Sequence, residues 1–228
     1  MLIVLEGLDG AGKTTQVHLL QKHFESQKIK SAFLHFPRFD APVYGDLIAS
    51  FLRGEFGDVN TVDPRLVALL YAGDRNNAAP VLKSWFDNGQ VVILDRYVYS
   101  NIAFQCAKIA DCAKREKLRE WIFDMEYNFF GIPRPDVSIF LDVPFDFTVE
   151  KLRSQRDEAG RDYLNGKKDI HESDFDLQKR VREVYIEQTH IDKDFVPVNC
   201  VDDNLQMKSP QVIHEEIVTL ITDRMFRN

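Results

Sequence analysis

The run Gly7-Leu8-Asp9-Gly10-Ala11-Gly12-Lys13-Thr14 limits the fold of this chain more than any other feature. It fits the pattern GxxxxGK[ST] and has the flanks that pattern requires. Leu2-Ile3-Val4-Leu5-Glu6 before it reads as a buried strand, and Val17, Leu20 and Phe24 after it recur with helical period. A helix is therefore expected to start at Lys13. In such a turn the glycines let backbone N–H groups curl round a phosphate, and the helix N-terminus adds positive potential. Lys13 can then reach the β- and γ-phosphates of a nucleotide, and Thr14 can ligate Mg²⁺. The plainer alternative, a glycine-rich turn with a solvated lysine, fits these flanks poorly.

Four more short apolar runs follow, at Ala32–Phe36, Val91–Asp95, Val137–Asp142 and Phe195–Asn199, each separated by enough residues for a helix. The alternation predicts an α/β fold, a five-stranded parallel sheet with helices on both faces. Asp63 as N-cap and Pro64 at the first helical position open one helix, with Leu66, Val67, Leu69 and Leu70 expected to supply its apolar face. Another is expected after Ser100, and a last one from Pro210. Residues from about 154 to 173 are polar, aperiodic and dense in charge, which predicts a mobile lid loop. No linker divides residues 1–228, so one domain is expected.

Composition narrows the partners. Apolar residues make up 44% and charged residues 29%, ordinary values for a globular chain. No apolar run approaches the ~18 residues of a membrane span. The chain opens on a strand and not on a basic, apolar leader, which points to the cytoplasm. Cys106, Cys112 and Cys200 are odd in number and lack CxxC spacing, so neither a disulfide framework nor a zinc site is indicated. With 29 Lys plus Arg against 36 Asp plus Glu, the net charge of −7 would repel a nucleic-acid backbone. A phosphate site must then be locally cationic.

Three segments offer such cations. Asp95-Arg96 closes the third strand at its carboxyl end, the edge where open α/β sheets bind ligands. Asp95 can hold the water shell of Mg²⁺, and Arg96 can fork two phosphate oxygens. Phe36-Pro37-Arg38 delivers a second arginine to the same edge. Tyr71 and Arg75, four apart on a helix, share one face and suit a base with an attached phosphate. Taken singly, each could be a surface ion pair, a solvated arginine or a core tyrosine. Their convergence beside a phosphate loop favours a second, phosphate-bearing substrate.

With these residues in view the chain resembles the thymidylate kinase family of P-loop nucleoside monophosphate kinases. The segments that carry the likeness are Leu5 to Gln16, Phe36-Pro37-Arg38, Leu69 to Arg75, Asp95 to Ser100 and Asp169-Ile170-His171-Glu172. The resemblance implies transfer of the ATP γ-phosphoryl group to dTMP, giving dTDP and ADP for dTTP synthesis, with Mg²⁺ and as a homodimer. It implies ATP binding by Gly7, Leu8, Asp9, Gly10, Ala11, Gly12, Lys13, Thr14 and Thr15, with Thr14 and Asp95 managing the metal. Asp9 would meet the deoxyribose 3′-hydroxyl, Arg38, Arg75 and Arg96 the monophosphate, and Tyr71 the thymine ring. Phe36, Ser100 and Phe104 are counted in the same acceptor site.

The chain departs from the family pattern in two places. Some members carry an arginine straight after the P-loop acid, where this chain has Gly10. Members lacking it place transition-state arginines in the lid, which here offers Arg153, Arg156 and Arg161. Lys13, Arg96, Asp9, Arg153 and Arg156 are the catalytic candidates, Arg153 ahead of Arg156. Where many relatives have a tyrosine before the lid glutamate, this chain has His171, which could equally be a solvated loop residue. The attacking oxygen belongs to a phosphate monoester with a second pKa near ~6, so no general base is needed. A nucleotide-switch GTPase would need an NKxD guanine reader, which is missing, and its DxxG match, Asp157-Glu-Ala-Gly160, follows no strand. A kinase for another deoxynucleotide or pyrimidine remains the nearer alternative, with Asp9 and the arginines favouring a monophosphate acceptor over a nucleoside.

Overall fold

The computed structural model describes residues 1–154, 162–167 and 169–225. Five parallel strands, β1 (Leu2–Glu6), β2 (Ser31–His35), β3 (Val91–Asp95), β4 (Val137–Asp142) and β5 (Phe195–Asn199), form one sheet in the order β2-β3-β1-β4-β5. Leu5 is in register with Asp95 on one side and Ile139 on the other. The chain thus places its first strand in the middle. The connection from β1 runs to one side of it and the later one from β3 to β4 crosses to the other, which opens a crevice at the carboxyl end of β1.

Alternation within the strands feeds two cores. Leu2, Val4, Val92, Leu94 and Phe140 face one layer, and Ile3, Leu5, Ile93, Ile139 and Leu141 the other. Every residue of β1 and β3 is buried, so both faces are covered. At about 1.5–3 kcal/mol per fully buried large aliphatic side chain, these strands anchor whatever follows them. β2 is the exception. It is an edge strand with partly exposed residues, and it ends at His35, one residue before the expected boundary.

Helices α1 (Lys13–Ser26) and α9 (Pro210–Met225) cover the second core. The first core is covered by α2 (Tyr44–Leu52), α3 (Pro64–Asp87), α4 (Val98–Cys106), α5 (Cys112–Phe123) and α8 (Phe175–Ile191). α1 begins at Lys13, and α3 begins at Pro64 with Asp63 Oδ1 accepting from Arg65 N–H, both as expected. α4 starts two residues before Ser100, because Glu6 at the end of β1 supplies its cap. Glu6 Oε1 accepts from Tyr97 N–H at 2.8 Å and Ser100 N–H at 3.2 Å. α6 (Phe145–Ser154) leads towards the segment expected as a lid loop. The described part of that segment is folded: Asp162–Leu164 make a 3₁₀ turn and α7 (Ile170–Ser173) a short helix. Asp169 Oδ1 caps α7 by accepting from His171 and Glu172 N–H, and Tyr163 stacks on Phe39 at 3.7 Å. Short-range capping and ring stacking give structure to a stretch whose apolar periodicity is too weak to announce it.

Candidate active site

The glycine-rich turn after β1 is shaped by two different demands. Gly12 has φ +86° with open space where a Cβ would be, so the backbone conformation alone calls for glycine. Gly7 combines φ +148° with close neighbours, the Leu141 carbonyl at 3.2 Å and Ala11 Cβ at 3.3 Å from a built Cβ. Gly12 caps α1 without a side-chain acceptor, so the helix N-terminus keeps its amide donors for an anion. Leu8 and Ala11 are buried, Asp9 and Gly10 are partly exposed, and Thr14 and Thr15 are exposed. Lys13 folds back over the turn, donating to the carbonyls of Gly7 at 3.2 Å and Leu8 at 3.0 Å. Burial and the nearby Arg96 lower its pKa, against the pull of Asp95, 3.9 Å away.

Asp95 ends β3 beside it. Burial would raise this carboxyl, but Lys13 and His35 outweigh it and hold the pKa below the ordinary value. Oδ2 lies 3.3 Å from His35 Nδ1, while Oδ1 is buried with no hydrogen-bond partner. An orphaned carboxylate oxygen 3.9 Å from Lys13 Nζ, with an exposed hydroxyl at the next residue, Thr14, fits a divalent cation, directly or through its water. Among the described residues no group of three His, Cys, Asp or Glu side chains could hold a metal alone. A magnesium ion here would need oxygens from a bound nucleotide.

Arg96 joins this turn to a second region. It is a non-glycine residue at φ +68°, a conformation that persists only where its surroundings impose it. Its Nη2 donates to Asp9 Oδ1 at 2.5 Å and its Nη1 to Ser100 Oγ at 3.2 Å. For Asp9, burial is outweighed by Arg96 and Lys13, which bring the pKa down to about 2. Ser100 Oγ in turn donates to Glu6 Oε2, which also accepts from Tyr185 OH at 3.1 Å. Burial raises the Glu6 pKa, partly offset by these bonds.

Beyond Arg96 lies a cavity of about 290 Å³, near the lower end for small-molecule sites. Asp9, Arg96, Ser100 and Phe104 line it with Phe36, Tyr71 and Arg75, so seven of the eight residues expected for the acceptor meet here. Arg38 does not. Its guanidinium is committed to Asp74 Oδ1 at 2.9 Å from Nε, the Asp74 carbonyl and Asn77 Oδ1, so it braces β2 against α3 and does not line the cavity. Arg75 lines the cavity but is no free cation. Its Nε and Nη2 fork onto Glu126 at 2.5 and 2.6 Å, with side-chain exposures of 2% and 0%. Such a buried pair is already neutral as a unit, so its reach towards a phosphate is weaker than the sequence suggested.

Several residues at this site carried no sequence signal. Glu126 comes from a π-helical turn, Asp124–Phe129, fifty-one positions after Arg75. Asn101 donates through Nδ2 to Glu126 Oε1 at 2.9 Å and to the Ala68 carbonyl at 3.0 Å, which leaves Oδ1 buried and unpartnered. Gln105 and Asp169 also line the cavity, and burial raises the Asp169 pKa to about 6. His171 is buried against Phe104 and Phe51, not solvated. Of these, Asn101 and Gln105 could have been found at one and two helical turns beyond Tyr97 on α4. The side chains of residues 150–154, Arg153 among them, and the whole of Arg156 and Arg161 lie outside the described residues.

A second cavity, about 430 Å³, opens at the carboxyl ends of β4 and β5, bounded by Asp142, Arg182, Pro197, Asn199 and Leu205. Arg182 spans it, with Nη2 2.6 Å from Asp142 Oδ1 and Nε donating to the Val143 carbonyl.

Known proteins share this sequence pattern and this fold. The family model for thymidylate kinase matches residues 5–208. The chain is 38% identical over 189 residues to a thymidylate kinase of Mycobacterium tuberculosis, covering 82% of this chain and 85% of that one. It is 31% identical over 226 residues to a probable thymidylate kinase of Thermococcus kodakarensis, with 97% of each covered. Its fold matches a solved thymidylate kinase structure from Candida albicans with a TM-score of 0.74 at 23% identity, covering 98% of this chain and 92% of that one.

Proposed function

The chain belongs to the thymidylate kinase family and is an ATP-dependent nucleoside monophosphate kinase that phosphorylates dTMP. From that premise we propose how its residues divide the work. The donor's triphosphate lies in the turn Gly7–Thr15, and its base in the cavity at the ends of β4 and β5. Lys13 exchanges its two carbonyl contacts for phosphate oxygens. Thr14 and Asp95 Oδ1 would hold Mg²⁺, which when bound would neutralise phosphate charge.

The acceptor fills the cavity beyond Arg96. The carrying observation is the Arg96–Asp9 contact at 2.5 Å, since it joins an acid of the phosphate loop to a cation that lines the acceptor cavity. Arg96 holds the acceptor phosphate and Asp9 takes the 3′-hydroxyl. Tyr71 gives the base a face to stack on. Arg75 retains an unused Nη1 and Asn101 an unused Oδ1, a donor and an acceptor that match the O4 and N3–H edge of thymine. A phosphate oxygen of the acceptor attacks the γ-phosphorus, and the bond to the bridging oxygen breaks with its electron pair leaving on ADP. Alignment and charge neutralisation then carry the catalysis. With Gly10 in the loop, the cation opposite Arg96 is assigned to the lid, Arg153 first and Arg156 second.

The same proposal includes a homodimer and a cytoplasmic address. α3 leaves Leu66 62%, Leu69 43% and Val81 43% exposed on one face, an apolar strip a second copy could cover. All three cysteines are free, which suits a reducing compartment. No described helix is long and apolar enough to cross a membrane. Coupled ADP-release assays across nucleosides and their monophosphates test the acceptor assignment. dTMP should far exceed thymidine in kcat/KM, and the reverse order would show that Arg96 and its cavity have been misassigned. Light scattering should give twice 26.4 kDa, falling to one chain mass in Leu66→Glu with Leu69→Glu.

A further inference from the structure

One wall of the acceptor cavity is built more lightly than the rest. Tyr71 and Phe104 stand on α3 and α4, helices packed into the first core. Tyr163 faces the same cavity from the segment 162–167, in which only Leu164 is buried. A segment with so few buried apolar groups opens at lower cost than a core helix. If any part of this cavity gives way to a nucleotide, it is this one.

Three sets of contacts hold it shut. The Tyr163 ring stacks on Phe39 with centroids 3.7 Å apart and planes 6° from parallel, and both rings line the cavity while staying partly exposed. Tyr163 OH donates to Asp169 Oδ2 at 3.1 Å. Arg53, one residue past α2 and not in the cavity wall, donates through Nη1 to the Tyr163 carbonyl at 2.6 Å and through Nε to Glu55 Oε1 at 2.8 Å, which also accepts from Lys167 Nζ at 3.1 Å. The two rings differ in footing. Phe39 follows Arg38, whose backbone N–H and guanidinium are both fixed by Asp74, whereas Tyr163 rides on the lightly buried segment. All these contacts join protein groups to one another. A barrier made that way is met on entry and on exit alike, whereas a group that only grips the bound ligand acts on its departure.

We propose that Phe39 and Tyr163 form a clasp on the acceptor cavity that parts to admit the nucleoside monophosphate and sets how fast it enters and leaves, with Arg53 as a positioning residue behind Tyr163. The proposal rests on the acceptor cavity assigned above.

The test uses the full chain and dTMP. Phosphorus NMR line shapes of dTMP give its dissociation rate, calorimetry gives Kd, and the two together give the association rate. Phe39→Leu and Tyr163→Leu, which keep an apolar side chain but lose the stack, should each raise both rates about fivefold while Kd changes by less than about twofold. Arg53→Met, which leaves the cavity wall intact, should move both rates in the same direction, and Tyr163→Phe, which keeps the stack, should move them least. Rates unchanged in both leucine variants overturn the clasp. So does a rise in the dissociation rate alone, with Kd weakened to match, because the rings would then be contacts of the bound nucleotide. Should one leucine variant fail to fold, the other decides together with Arg53→Met. A wild-type chain that binds no dTMP would overturn the acceptor cavity itself, and the clasp with it.

Discussion

The two halves of the active site are built in opposite ways. The part proposed for the donor's triphosphate is one continuous segment, Gly7 to Thr15, whose cation, Lys13, rests on carbonyls of its own turn. The part proposed for the acceptor is gathered from β2, α3, α4, a π-helical turn and the segment around α7, and the arginines in and beside it are matched to carboxylates: Arg96 to Asp9 and Arg75 to Glu126 in its wall, Arg38 to Asp74 outside it. A triphosphate with its cation can be met by an open loop of donors. Selecting one nucleoside monophosphate asks for fixed shape, and pairing each guanidinium in a nearly dry site fixes its direction at the expense of free charge.

If that contrast holds, losses on the donor side should fall on turnover and losses on the acceptor side on stability and KM. The largest effects belong to the transferred group. Lys13→Ala should lower turnover by orders of magnitude while its melting curve stays cooperative. Arg153→Ala or Arg156→Ala should lower kcat by about 10³–10⁵ if either is the transition-state cation, against at most ~1 kcal/mol for a solvated arginine. If both single variants keep kcat within a few-fold of wild type, the lid assignment is wrong. Partial rescue by Gly10→Arg would support the trade between loop and lid.

Next in size is Glu126→Ala, which strands a buried guanidinium. It should cost about 3–5 kcal/mol in denaturant unfolding, with Glu126→Gln less damaging. An unchanged midpoint would mean that Arg75 has another partner. Tyr71→Ala should raise KM for dTMP more than for ATP, by roughly 1–3 kcal/mol if base stacking is lost. Equal rises for both substrates would remove Tyr71 from the acceptor side. The smallest effect concerns pH. The pKa of Asp169, about 6, lies above its ordinary 3.8, so the folded form binds more protons between these values. Its contribution to stability therefore grows as pH falls from 6 to 4. Asp9, near 2, works the other way, and its contribution fades only below 3.8. Urea midpoints of wild type should gain on Asp169→Asn across pH 6 to 4, by about 1–2 kcal/mol. A constant difference would show that Asp169 is not raised.

The same contrast explains what could be read from residues alone. The donor half is local, so spacing within ten positions and two flanks specify it, down to the start of α1 at Lys13. Strand alternation likewise gives the sheet, since burial on both faces writes itself into Val91–Asp95 as an unbroken apolar run. For the acceptor half, Arg75 and Arg96 are visible as cations, but their partners are not. Glu126 is fifty-one positions from Arg75, in a turn of no recognisable period, and nothing near Arg38 says that Asp74 will take it away from the cavity. His171 looks solvated in a charged stretch. Only tertiary packing brings Phe51 and Phe104 against it.

The position of β1 bears on how the molecule is made. A ribosome delivers this strand before the other four, yet it needs β3 on one edge and β4 on the other before its backbone bonds are satisfied. Its register partners begin at residue 92 on one side and 137 on the other, so synthesis must pass residue 137 before the central strand is flanked. Pairings that distant close slowly, and an apolar strand waiting for them is exposed to chaperones and to its neighbours on the same message. The glycine-rich turn after β1 is thus made before the strands that fix its shape.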